Sequence, residues 1–126
     1  MAEGVRQKEK EIGFPKRGEI YLVEFDPVRG HEIQKTRPAL IIQNDIGNRY
    51  SPVTIVAAIT SKFAVPPYPT DVIVEEGQSG LSLRSAVVLN QIRSVDRQRL
   101  IRRLGRLDVA AMQRVDQALQ ISLGLI

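Results

Sequence analysis

Polar groups gather most densely in the run Arg29-Gly30-His31-Glu32-Ile33-Gln34-Lys35-Thr36-Arg37-Pro38. A guanidinium, a carboxylate and a hydroxyl are enough to assist cleavage of RNA by its own ribose 2′-OH. That reaction needs no protein nucleophile, only in-line geometry, proton transfer and positive charge on the phosphorane. Arg37 precedes Pro38, so its backbone is biased to an extended form at a strand entrance, where its planar fork can meet a phosphate bidentately. Glu32 is the natural base, since an arginine pKa above about 12 rules Arg37 out of that role. Thr60 ends the next long apolar run and offers a hydroxyl. Each residue also has a plainer fate: most arginines are exposed or ion-paired, a strand-end threonine usually bonds backbone, and His31 suits a solvated loop.

Other chemistries are excluded. His31 is the only histidine, which leaves no paired imidazoles and no multi-histidine metal site. No glycine-rich phosphate loop leads to a lysine, and neither a HExxH pattern nor a nucleophile elbow occurs. With no cysteine there is no disulfide, thiolate metal site or cysteine nucleophile, which suits a reducing cytoplasm. No metal and no cofactor are expected.

The 126 residues suffice for one domain with its own core. No apolar run approaches the length of a membrane span and no export signal is evident, so a soluble cytoplasmic protein is expected. A formal charge of +4 favours a polyanionic partner. The basic run Arg93, Arg97, Arg99, Arg102, Arg103 and Arg106 reads as a solvated face, or as a guide for RNA backbone or an acidic partner. Tyr50, Phe63 and Tyr68 lie in loop-like stretches where a base could stack, although Phe63 suits the core equally.

Residues 1–15 mix charges of both signs without periodicity and are expected to form a flexible tail, with the domain running from 16 to 126. Residues 20–25, 39–43, 53–60, 71–74 and 85–89 read as strands. Residues 44–52 read as turn formers, and 64–69, with three prolines, as irregular chain. After Asp96 come a helical turn, a strand at 104–107 and a helix capped by Asp108, whose apolar face runs through Val109, Met112, Val115, Leu119 and Leu123. A small twisted antiparallel sheet closed by a C-terminal helix is expected.

Many short motifs in order resemble the MazF/PemK toxins: Arg17-Gly18-Glu19-Ile20-Tyr21, Gly30-His31-Glu32, Arg37-Pro38-Ala39-Leu40, Gln43-Asn44-Asp45-Ile46-Gly47-Asn48, Ala57-Ala58-Ile59-Thr60 and Asn90-Gln91-Ile92-Arg93. The resemblance runs from about residue 16 to the C-terminus. It implies a homodimer of small SH3-like or CcdB-like barrels that cuts single-stranded RNA at short sequences. Neither ribosome nor metal would be needed, and the ends left would be a 2′,3′-cyclic phosphate and a 5′-OH. It also implies inhibition by a MazE-like antitoxin through an acidic flexible segment. Carried over position by position, the catalytic residues fall on Arg37, Thr60 and Glu32, and an RNA contact on Asn90-Gln91; further RNA contacts are expected from the two polar loops, at Arg29, His31, Gln34, Lys35 and Lys62. Asn90 stands where the family commonly has an acidic residue, and Ile33 and Lys35 depart from a common loop pattern, so base preference is expected to differ. Two alternatives share the fold: a CcdB-like poison that grips DNA gyrase, and an inactive nucleic-acid-binding relative. The gyrase poisons depend on a tryptophan near the C-terminus, and this chain has none.

Overall fold

A computed structural model describes residues 13–25, 36–77 and 79–126. Six antiparallel strands form one sheet in the order β4-β5-β3-β2-β1-β6. They are β1 (Glu19–Glu24), β2 (Thr36–Ile41), β3 (Val53–Thr60), β4 (Asp71–Val74), β5 (Ser85–Asp96) and β6 (Leu100–Arg106). A short helix α1 (Asp45–Tyr50) joins β2 to β3, a 3-10 turn (Arg97–Arg99) joins β5 to β6, and α2 (Val109–Ser122) closes the chain. The expected class, mainly β with a C-terminal helix, is what the chain adopts.

β3 shows why its run is continuously apolar. Both of its faces are covered, so alternation disappears. Ala57 and Ile59 face one core with Ile20, Leu40, Val87 and Leu89, onto which α2 sets Ala111, Val115 and Ala118. Val56 faces the other, smaller core with Val23, Ala39, Ile41 and Val95, edged by Tyr21, Phe25 and Leu100. The sheet is curled rather than flat. Its far ends meet without pairing: the Gly80 and Gly105 backbones touch, so closely that a Cβ on either would lie 1.9 and 2.0 Å from a carbonyl oxygen of the other segment.

The segment 44–52 is not the turn that its composition suggests. Asn44 caps α1 by accepting the Gly47 N–H at 2.7 Å. Asn48 is fully buried. Its Nδ2 donates to the Gln43 carbonyl at 2.9 Å, and its Oδ1 accepts from Thr54 Oγ1 at 2.7 Å and Gln43 Nε2 at 3.1 Å. Tertiary bonds thus hold a helix whose residues have weak propensity for it. Asn48→Ala is expected to lower unfolding free energy by about 3 kcal/mol, since it orphans the buried Thr54 hydroxyl and the Gln43 carbonyl; urea midpoints check this, and a loss below about 1 kcal/mol would contradict the bonding described.

Four other expectations need correction. Packing starts before residue 16: Pro15 is fully buried and the Gly13 carbonyl accepts from Arg97 Nη2 at 3.0 Å. β5 extends to Asp96 and β6 begins at Leu100, both longer than their apolar stretches. On α2, Val109 is 75% exposed and Leu123 is also exposed, while Ala111 and Ala118 join the expected Val115 in the buried stripe. Much of the basic run is structural rather than a solvated face. Arg97 bonds the Ser51 carbonyl at 3.3 Å, Arg99 the Glu24 carbonyl at 3.3 Å, and Arg103 the Glu19 carboxylate at 2.8 Å. Burial raises the Tyr21 phenol above its usual pKa, and the neighbouring Glu19 charge adds to the rise.

Candidate active site

The β2–β3 register positions the site. Ala39 pairs with Ala58 and Leu40 with Ala57. Continuing by two residues sets Arg37 across from Thr60. Directly opposed residues share a face, so both point to the side of the smaller core, at its open mouth. Arg37 is exposed, and among the described residues it has no hydrogen-bond or ion-pair partner. The Thr60 hydroxyl is held in a tight turn: Oγ1 accepts the Lys62 N–H at 3.1 Å and lies 3.2 Å from the Lys62 carbonyl, to which it can donate. The plainer reading of a strand-end threonine is thus also true, and it fixes the hydroxyl beside Arg37.

β5 contributes through a bulge. Ala57 and Ala58, neighbours on β3, face Ile92 and Val88, so Leu89, Asn90 and Gln91 are extra. Leu89 turns into the core, while Asn90 and Gln91 are exposed. Bulges commonly re-aim side chains beside functional sites. Here the bulge brings Gln91 to a cavity of about 520 Å³ whose functional lining is Phe25, Arg37, Thr60, Lys62, Gln91 and Arg93. No Asp, Glu or His is among its described lining residues, so its three cations present net positive charge.

The structure therefore gathers Arg37, Thr60, Lys62 and Gln91 and leaves Asn90 outside the lining. Arg29, His31, Glu32, Gln34 and Lys35 lie outside the described residues. Phe25 and Arg93 were not among the expected site residues. Extending β5 beyond Leu89 would have found Arg93, which pairs with Val56 and so shares the face of Arg37. A larger depression of about 850 Å³ lies at the start of α2. It is the weaker candidate, because its arginines are interleaved with Glu75, Asp108 and Asp116, and Arg17 is paired to Asp116 at 2.7 Å.

The cationic cavity suits a phosphodiester. A guanidinium can neutralise charge growing on phosphate oxygens, and a fixed hydroxyl can orient one of them. Cleavage by the ribose 2′-OH asks of the protein only such stabilisation and proton transfer, since the substrate carries its own nucleophile. Among the described residues no group of three or more acidic or histidine side chains could hold a metal ion, and no helix is long and apolar enough to cross a membrane.

Residues 16–123 match the sequence profile of the PemK-like, MazF-like toxins of type II toxin–antitoxin systems. The chain belongs to this toxin family. The endoribonuclease EndoA of Bacillus subtilis (strain 168) is 48% identical over 111 residues, 88% of this chain and 96% of that protein. A MazE–MazF structure from Deinococcus radiodurans superposes with a TM-score of 0.76 at 26% identity, covering 90% of this chain and 98% of the other. A mycobacterial endoribonuclease in complex with its cognate antitoxin gives 0.74 at 25% identity, over 89% and 97%. The MazF-like toxins share this curled sheet and helix.

Proposed function

We propose that this endoribonuclease toxin cuts single-stranded RNA at short sequences by transesterification, with neither ribosome nor metal. The 2′-oxygen forms a bond to phosphorus as the bond from phosphorus to the 5′-oxygen breaks. The 2′-OH gives up its proton and the leaving oxygen gains one, so the products are a 2′,3′-cyclic phosphate and a 5′-OH. The observation that carries this reading is the juxtaposition of Arg37 and Thr60 at the mouth of a cavity that is cationic in its described lining. Arg37 stabilises the phosphorane, Thr60 orients a phosphate oxygen, and Glu32 serves as base. Gln91 and Lys62 meet the RNA within the cavity, and Arg29, His31, Gln34, Lys35 and Asn90 contribute further contacts to unpaired bases or backbone.

The toxin acts in the cytoplasm as a homodimer and is inhibited by a MazE-like antitoxin. The antitoxin's acidic flexible segment competes for the same cations. The complexes that similar toxins form with antitoxins support this.

The test is a digest of a long unstructured RNA in excess EDTA, with both product ends mapped. Discrete cuts bearing cyclic phosphate and 5′-OH are expected, together with a block when the 2′-OH at the cut is replaced by hydrogen. Activity lost in EDTA and restored by a divalent ion, or ends carrying a 5′-phosphate, would contradict the chemistry.

A further inference from the structure

The cavity holds a second arginine that the reaction above does not use. Arg93 rises from β5, beyond β3 from Arg37. It pairs with Val56, which pairs with Ile41 of β2, so both arginines stand on the same face of the sheet. Its guanidinium carbon lies 5.3 Å from the centroid of the Phe25 ring. Phe25 follows β1, which is not a neighbour of β5 in the strand order, so the curl of the sheet brings the two together across the mouth. Stacking restrains a long side chain before any ligand arrives, and so reduces the ordering cost of binding. A guanidinium held over a ring can still present its planar fork of donors to phosphate oxygens.

The geometry points to a second phosphate subsite, in which Arg93, steadied on Phe25, binds the backbone phosphate next to the scissile one at Arg37. The inference rests on the ribonuclease reading. Two phosphates of one strand fit better than a shared one. β2 and β5 flank β3, about 10 Å apart, and the register separates the arginines by about 13 Å along the strands. At that separation two arginine side chains reach neighbouring phosphates more readily than they converge on one.

The test measures binding of an RNA made uncleavable by a 2′-deoxy nucleotide at the cut, across a range of salt concentrations. Each lost phosphate contact removes one set of released counterions, so Arg93→Gln is expected to flatten the slope of log affinity against log salt by about 0.7. Arg93→Lys keeps the charge and should keep the slope. Phe25→Leu should keep the slope too but weaken binding, because the arginine is no longer steadied. Saturating turnover of cleavable RNA should change less than about threefold in Arg93→Gln, since the contact is made in ground state and transition state alike. A wild-type slope in an Arg93→Gln protein that melts like the parent overturns the subsite, as does a large fall in turnover at unchanged slope. A wild-type protein that neither binds nor cuts RNA overturns instead the ribonuclease reading beneath it.

Discussion

Arg37→Ala protein is expected to leave RNA uncut under conditions where the parent digests it completely. The residue is exposed at a strand entrance, without a hydrogen-bond or ion-pair partner among the described residues, so its removal should change stability by no more than about 0.5 kcal/mol. Its effect on the reaction is much larger. Negative charge accumulates on the phosphorane's equatorial oxygens, and this guanidinium is one of the three cations that share the cavity's described lining with Thr60. Removing one preorganised donor from an oxyanion site costs about 10²–10³ in turnover, so loss of a charged bidentate donor should reach about 10³ or more. Arg37→Lys keeps the charge but loses the fork, and should recover only part of the rate. Single-turnover rates with RNA in excess over its dissociation constant separate this loss from weakened binding. A variant cutting within about tenfold of the parent, well short of the loss such a donor should cause, would remove Arg37 from the centre of the mechanism.

The same register argument marks what could be read before the structure and what could not. β3 and β4 were legible residue for residue, because β-branched runs bounded by turn formers announce strands whether central, as β3, or at the sheet's edge, as β4. Asp108 was legible as a cap because capping is local; its carboxylate accepts from Ala111 N–H at 2.8 Å. Arg37 and Thr60 could be singled out because few other groups in the chain could assist phosphodiester cleavage, and the structure places both in the lining of one cavity. The second half of β5 was hidden by its polarity. From Asn90 onward its side chains, Ile92 and Val95 apart, line a cavity mouth and an exposed flank rather than a core, so the apolar pattern used to recognise strands is broken. The contact between Arg93 and Phe25 was hidden for a related reason: it depends on the curl of the sheet, which brings together residues that neither strand order nor spacing makes neighbours. Arg97, Arg99 and Arg103 looked like a basic patch because a sequence shows charge but not the carbonyls and carboxylate that those side chains bind.

Gly105→Ala is expected to cause the largest loss of stability of any single methyl addition on β6. An ideal Cβ at Gly105 would lie 2.0 Å from the Ser79 carbonyl oxygen and 2.6 Å from its carbon, and one at Gly80 would lie 1.9 Å from the Leu104 oxygen. These are backbone atoms, which no rotamer change can move aside. The loop after β4 must therefore retreat from β6, opening the closure that holds the curled sheet together, and Gly80 has little room to adapt with its φ of +87°. Overpacking of this kind costs about 3 kcal/mol. For a chain of this length that corresponds to a fall of roughly 10 °C in melting temperature. Arg102→Ala on the same strand removes an exposed side chain and should stay within about 0.5 kcal/mol of the parent. The Arg37–Thr60 cavity shares no lining residue with this contact, so the folded variant should cut RNA at a parental rate well below its melting point. A melting temperature within about 2 °C of the parent would mean that the two segments do not meet backbone to backbone. Parental melting with impaired cutting would instead tie the closure to the geometry of the mouth rather than to the stability of the fold.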